Sequence, residues 1–424
     1  MSAPRAALVA VGDELLNGDQ VNGNAVVVGR ALADFGVPVR AQFAVGDDTA
    51  QIAAAVLAAA ADADVVVISG GLGPTQDDLT REGLARAAGV PLERDARLET
   101  ELRARLSALG RRDIPEINMQ QADLPRGARP LPNRVGTAPG IRLRLGERVI
   151  YALPGVPREL TGMLHDAVLP DLVGLFPHRL AVARATIRTV GLWESAVAEA
   201  MAPEVRRTGG TPIIGFLSSG GETRVEITAS GVDLPTAQEL LAPTVAFARR
   251  VLADAVYDAP SLPEEIVRLL TDTGATVACA ESLTAGLLAA RIADVPGASA
   301  VLRGGIVAYA TALKADLLGV PRQQLAADGP VAASTAAAMA VGVAGRCAAN
   351  YGIALTGVAG PAPQDGHPAG TVFVAVHGPA GTETARLQLP GDRPQIRSYA
   401  VTAALAMLRG AVRAASHRAA AGKA

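Results

Sequence analysis

The sequence predicts an α/β fold in which two α/β domains with mainly parallel sheets are joined by a small α+β module. Three observations carry this. Apolar strand-like runs alternate with helix-period segments from residue 6 to 90. Between 180 and 255 the order becomes β-α-β-β-α, and from 264 onward the α/β alternation returns. A chain of 424 residues is long enough for two or three domains, each with its own core.

The elements follow in order. "AALVAVG" reads as a strand and "NAVVVGRALADFG" as a helix closed by glycine. "VPVRAQFAVGDD" is a second strand and "TAQIAAAVLAAAAD" a second helix. "ADVVVISGG" is a third strand, followed by the helix "DDLTREGLARAAG". Apolar strands separated by helices imply a parallel sheet covered on both faces. "RLETELRARLSALG" adds a helix, and "GIRLRLGERVIYALPG" reads as a hairpin around "LGE". "PRELTGMLHDAVLPDLVG" closes a first domain, residues 1–175. The module at 176–257 comprises "LAVARATIRTVG", "WESAVAEAMAPEV", "TPIIGFLSS", "ETRVEITASG" and "LPTAQELLAPTVAFARRVLA". "YDAPSLPEE" links it to a third segment, 258–424, with two prolines and a helix start that is acidic in its first turn.

Composition excludes several classes. No charge-free apolar run reaches the roughly 18 residues of a membrane span. "MSAPRAALVAVGDELL" lacks the pattern of a secretory signal. Cys279 and Cys347 are too few for a disulfide framework or a cysteine metal cluster. A cytoplasmic protein without a membrane segment is expected. A net charge of −2 and 3% aromatic residues argue against dedicated nucleic-acid binding.

One compositional fact bears on chemistry. Of 39 basic residues only Lys314 and Lys423 are lysine. Lys423 lies in the tail "RAAAGKA", expected to lack fixed structure. Arginine stays protonated in proteins, whereas a buried lysine can lose its proton. Lys314 is therefore a candidate chemical group.

"SGGLGPTQDDLT" follows a strand and precedes a helix, a setting in which backbone N–H groups can meet a phosphate. Gly70, Gly71, Gly73 and Thr75 are its candidate substrate contacts. Acidic pairs follow three successive strands: Asp13-Glu14, Asp47-Asp48 and Asp77-Asp78. Aspartate is a favoured helix cap, which accounts for some of these residues. In a parallel sheet the strand ends also share one edge, where ligands bind. Asp13, Glu14, Asp47, Asp77 and Asp78 are thus candidate oxygen ligands for a divalent metal ion beside a phosphoryl substrate.

"VAVGDELLNG", "VGDD", "SGGLGPTQDDLT", "NRVGTAPG" and "LPGVPREL" resemble, over residues 5–170, the N-terminal domain of the CinA (competence/damage-inducible) family. That domain is similar to the molybdopterin-binding fold of molybdenum-cofactor biosynthesis proteins. The resemblance implies metal-dependent cleavage of ADP-ribose to AMP and ribose 5-phosphate. One departure is Gln120 in "NMQQA", where the family often has lysine.

A second site centres on "VACAESLTAGLLAARI", where Ser282 stands between an apolar run and a helical pattern. A serine at such a corner is either a cap or a nucleophile. None of the histidines, His165, His178, His367, His377 and His417, stands in a recognisable triad setting. The stretch resembles the C-terminal CinA domain, typically "AESCTGG", with Leu283 for cysteine and Ala285 for the first glycine. "GGIVAYATALKADLLGV" matches the family's Tyr-x-x-x-x-Lys stretch at Tyr309 and Lys314. "LTGVAGP" and "PGDRPQIR" match two further segments. The middle module resembles the family's KH-like domain. His367, in "GHPAGT", stands where the family commonly has lysine, as a loop contact or a solvent-exposed side chain.

The resemblance implies deamidation of nicotinamide mononucleotide in this third segment, without a cofactor. Such a reaction needs a nucleophile, a base and oxyanion donors. Ser282 takes the first role and a neutral Lys314 the second, with Tyr309 as relay or orienting group. Thr356 and the backbone from Gly357 to Gly360 would polarise the amide and hold the ligand. Arg393 or Arg397 would bind the 5′-phosphate. A homodimer acting on small-molecule nucleotides is implied. The competing reading is a competence-related protein that binds a nucleotide or molybdopterin without catalysis.

Overall fold

The computed structural model describes residues 3–108 and 114–421, so Lys423 lies outside the described residues. Two compact units result, Met1–Arg184 with Thr228–Leu241, and Ala185–Ile227 with Ala242–Ala424.

The first domain contains β1 (Ala6–Val11), β2 (Val39–Val45), β3 (Val65–Ser69), β4 (Leu92–Arg94), β5 (Asp123–Pro125), β6 (Arg129–Leu131), β7 (Gly140–Leu145) and β8 (Arg148–Leu153). Six of them form a sheet in the order β2-β1-β3-β8-β7-β6, while β4 and β5 pair separately. The pairs β1/β2, β1/β3 and β3/β8 are parallel, and the expected hairpin supplies the antiparallel pair β7/β8. Side-chain alternation splits the core between the two faces. Ala7, Val9, Val66 and Ile68 pack with Ile52 and Val56 of the helix Thr49–Asp62. Ala6, Leu8, Val65 and Val67 pack with Val28 and Leu32 of the helix Gly23–Phe35. Asn22 and Asp48 cap these helices by accepting the N–H groups of Ala25 and Gln51.

The module contains β9 (Ala181–Val190), β10 (Ile213–Ser219), β11 (Glu222–Gly231) and the short β12 (Val256–Tyr257), in the order β10-β11-β9-β12. Its helices span Glu194–Thr208 and Leu234–Leu252. The helix Leu262–Asp272 starts where the linker sequence predicts, with Glu264 and Glu265 in its first turn, and Ser261 caps it.

The third segment is built on β13 (Val277–Glu281), β14 (Leu302–Val307), β15 (Tyr351–Gly357), β16 (Thr371–Gly378) and β17 (Gly381–Gln388), in the order β14-β13-β15-β16-β17. The three strands β14, β13 and β15 run parallel, so their C-terminal ends open at one edge. Val277, Cys279, Ile353 and Leu355 face the long helix Arg393–Ala421 through Val401, Leu405 and Leu408. Ala278, Ala280 and Ala354 face the helix Ala333–Arg346 through Met339 and Val343. Among the described residues no helix is long and apolar enough to cross a membrane.

Candidate active site

β13 ends at Glu281, a buried carboxylate at 1% exposure. It accepts the N–H groups of Gly286 at 2.9 Å, Leu288 at 3.0 Å and Ala289 at 2.9 Å. Glu281 therefore caps the helix Leu287–Ala293 from across a turn, and the Ser282 hydroxyl takes no part in the cap. The turn itself is closed by Ala285 N–H donating to Ser282 C=O at 3.1 Å. Ala285 sits at φ +51°, a conformation costly to any residue with a Cβ. That is the position where the resembling motif has glycine.

Lys314 reaches this turn from the helix Thr311–Leu318, with only 1% of its surface exposed. Its Nζ donates to Ser282 Oγ at 2.9 Å and to Ala308 C=O at 3.0 Å. No carboxylate offsets the burial, which pushes the lysine pKa down to about 8. A base poised near neutrality thus touches a hydroxyl, the arrangement that nucleophilic catalysis requires. Leu283 and Thr284, the next two residues, have backbone N–H groups with no protein acceptor among the described residues. Two unpartnered donors next to the serine are the kind of group that stabilises an oxyanion.

The cavity at Ser282 and Lys314 is small, about 130 Å³. That is below the range of a site enclosing a drug-sized ligand. No histidine lines it. Gly357 and Gly360 do, as expected. A Cβ on Gly357 would lie 2.5 Å from Thr371 C=O, so the residue must be small for β15 and β16 to close.

Three expected roles need correction. Thr356 lines the cavity, but its hydroxyl donates to Pro330 C=O at 2.6 Å, so that proton is committed to holding a loop. Tyr309 is 54% exposed at the mouth, and its hydroxyl accepts from Arg393 at 2.7 Å, with no bond to Ser282 or Lys314. Arg393 also donates to Gly360 C=O at 2.9 Å, which leaves it at the mouth as a candidate phosphate contact. Arg397 does not line the cavity. It donates to Leu283 C=O at 3.0 Å and Thr284 C=O at 2.7 Å. Glu281 was missed by sequence reasoning, although an acid just before a turn and helix is a capping signal.

A second cleft, of about 630 Å³, lies at the ends of β1, β2, β3 and β8. Gly70, Gly71 and Gly73 line it, with Glu14, Asp47, Asp77 and Asp78. The predicted ligand set divides. The carboxylates of Asp13 and Asp47 accept each other's backbone N–H, Asp13 Oδ1 that of Asp47 at 3.3 Å and Asp47 Oδ2 that of Asp13 at 3.1 Å, and Asp13 stands outside the lining. Asp78 accepts the N–H groups of Gly73 at 2.7 Å and Thr75 at 2.8 Å, together with the Thr75 hydroxyl. The glycine-rich loop is therefore folded around Asp78. Thr75 is spent on that turn and does not line the cleft. A Cβ on Gly73 would sit 2.3 Å from the Asp78 carboxylate. Arg81, buried beneath, holds the same loop through Leu72 C=O at 2.8 Å and Gly73 C=O at 2.7 Å. Gln120 is exposed and outside the lining, whereas its neighbour Gln121 is buried, faces the cleft and leaves its Oε1 unpartnered.

Among the described residues no three acidic, histidine or cysteine side chains form a ready metal cage. Glu14, Asp47 and Asp77 nevertheless share the cleft. Burial, reinforced by the negative charges of Asp13, Glu14 and Asp77, raises the Asp47 carboxyl above its usual range. The lining holds no arginine or lysine. A phosphorylated ligand there would need a cation to screen it. The oxygen chemistry of this donor set fits a hard divalent ion.

Three family models match successive stretches of the chain. Residues 7–173 match the family model "Probable molybdopterin binding domain". Residues 184–257 match "Damage-inducible protein CinA KH domain", and residues 259–412 match "CinA C-terminal domain". A "CinA-like protein" of Frankia casuarinae is 55% identical over 413 residues, covering 96% of this chain and 95% of that protein. Another from Myxococcus xanthus is 38% identical over 414 residues, covering 96% and 97%. The crystal structure of CinA from Thermoplasma acidophilum, described as of unknown function, is 38% identical. It covers 40% of this chain and 98% of that one, with a TM-score of 0.38.

Proposed function

The chain belongs to the CinA family, and from that premise we propose that its Ser282–Lys314 site hydrolyses the carboxamide of nicotinamide mononucleotide, giving nicotinate mononucleotide and ammonia. The observation that carries this reading is the 2.9 Å contact between a buried lysine, unpaired with any acid, and a serine that caps nothing. When Lys314 is neutral the contact reverses, and the serine hydroxyl donates to Nζ. Ser282 Oγ attacks the carboxamide carbon as its proton passes to Lys314. The oxyanion meets the N–H groups of Leu283 and Thr284. Lys314 then protonates the departing nitrogen, ammonia leaves, and water repeats the sequence on the acyl-enzyme. Arg393 at the mouth suits the 5′-phosphate. Ammonia release by the purified protein, with and without chelator, tests the reading. It predicts release that chelation does not affect, and no release would reject it.

We propose for the cleft of the first domain a second activity, metal-dependent cleavage of ADP-ribose to AMP and ribose 5-phosphate. Glu14, Asp47 and Asp77 would hold the ion, and a bound ion would supply Lewis-acid activation of the diphosphate. Asp78 and Arg81 keep the loop in shape around it. AMP formation that requires added divalent ion is the expected result. Tight pterin binding with no cleavage would favour a binding role instead. A cytoplasmic homodimer completes the reading, and its mass in solution tests the second half.

A further inference from the structure

We propose that Arg397 is a positioning residue that aims the backbone N–H groups of the Ser282 turn at the reacting carbonyl, and that it does not bind the substrate's phosphate. The inference rests on the serine–lysine reading of the site. It starts from peptide geometry. In a planar trans peptide the C=O and N–H point in opposite directions. The C=O of Leu283 is held by Arg397 Nε at 3.0 Å, so the N–H of Thr284, in the same peptide plane, points away from the guanidinium. The C=O of Ser282 is held inside the turn by Ala285 N–H at 3.1 Å, so the N–H of Leu283 points outward. Arg397 Nη2 also holds Thr284 C=O at 2.7 Å. Three successive carbonyls are thus engaged, Ser282 by the turn, Leu283 by Arg397 and Thr284 by Arg397 and the Leu287 N–H, and the two intervening N–H groups are left without acceptors.

The clamp has a task to perform. Ala285 holds the left-handed conformation at φ +51° without being glycine, so the turn is not its own best conformation. A guanidinium, with its planar fork of donors, can grip two neighbouring carbonyls at once, which an ammonium cannot do with fixed directions. The long helix carries Arg393 one turn earlier, on the same face. Arg393 reaches the mouth through Gly360 C=O and Tyr309. The two arginines therefore divide the work. One meets solvent and ligand, and the other stands behind the turn, outside the cavity lining.

The test uses p-nitrophenyl acetate, an activated ester with no phosphate and no nucleotide. Ser282 Oγ forms the new bond to the acetyl carbon, its proton goes to Lys314, and the bond to p-nitrophenolate breaks. Acetylation of Ser282 is followed by mass spectrometry and the phenolate by absorbance. Arg397→Ala should slow acetylation by about 10²-fold, the loss typical of a damaged oxyanion site. Arg397→Lys should fall between that variant and wild type. On nicotinamide mononucleotide, kcat per folded enzyme, with the folded fraction measured by circular dichroism on the same sample, should fall in parallel while KM stays within about threefold, which a lost phosphate contact would not produce. Should the alanine variant fail to fold, the lysine variant decides: an intermediate rate supports the role. Wild-type acetylation in either variant overturns it. So does a raised KM with unchanged kcat, or failure of the wild-type Ser282 to acetylate. If wild type leaves nicotinamide mononucleotide intact but acetylates in an Arg397-dependent way, the deamidase reading falls and the positioning role stands.

Discussion

The Glu281 carboxylate accepts the Gly286 N–H at 2.9 Å, and with two further bonds it takes over the whole start of the helix that follows Ser282. The serine hydroxyl is left to Lys314. Ser282→Ala should therefore remove ammonia release while changing unfolding free energy by less than about 1 kcal/mol, unlike a lost cap. Glu281→Gln should do the opposite in stability, costing roughly 2 kcal/mol or more, because a buried charged acceptor of three bonds is replaced. Urea unfolding of both variants measures this. A large destabilisation from Ser282→Ala would return the serine to a structural role.

Ala285→Gly should stabilise the protein. Relief of a left-handed alanine is worth about 1–2 kcal/mol, partly offset by the greater freedom of glycine in the unfolded chain. A net gain of roughly 0.5–1 kcal/mol is expected, read as a higher denaturation midpoint. A lower midpoint would contradict a positive φ at this turn.

The deamidation rate should rise about tenfold per pH unit up to a bend near pH 8 and then level, because only neutral Lys314 accepts the serine proton. The same burial costs stability. The folded pKa lies below the ordinary value, so the unfolded chain binds more protons and stability climbs between about pH 8 and 10.5. Below pH 8 the full penalty is present. Lys314→Met should accordingly be more stable than wild type at pH 7, by about 1–2 kcal/mol, with the gain gone above pH 10.5. Equal stability of the two proteins at pH 7 would mean that the ammonium is well compensated.

In the first domain the carboxylates should separate by function. Asp47→Asn should abolish metal-dependent cleavage of ADP-ribose without lowering the unfolding midpoint. Asp78→Asn should lower both, by about 1–3 kcal/mol in stability, since the glycine-rich loop is folded around that carboxylate. Neither should alter ammonia release. Loss of deamidation in Asp47→Asn would deny the independence of the two sites.

Much of the architecture was legible because hydrophobic period and glycine punctuation are local. The apolar runs of β1, β3 and β13, and the hairpin of β7 and β8, needed no distant information. Lys314 was legible for a different reason: in a chain that otherwise uses arginine, one internal lysine is a chemical statement. What stayed hidden was direction. Arg397 and Thr356 carry the right groups, but their partners, Leu283 and Pro330, lie 114 and 26 residues away in sequence. Asp13, Asp47 and Asp78 all follow strands and all accept backbone N–H groups, yet only packing decides that Asp47 and Asp78 line the cleft and Asp13 does not. Glu281 escaped notice because an acid at the end of a buried strand looks like any strand terminus until the turn brings three N–H groups over it.

The central claim is that Lys314 acts as a base, and Lys314→Arg tests it most directly. The substitution keeps the positive charge and roughly the reach, but guanidinium does not deprotonate near neutral pH. Ammonia release from nicotinamide mononucleotide should drop by about 10²-fold or more, while ligand binding, measured by calorimetry on the same sample, persists. Turnover close to wild type would contradict the account and remove lysine from the chemistry.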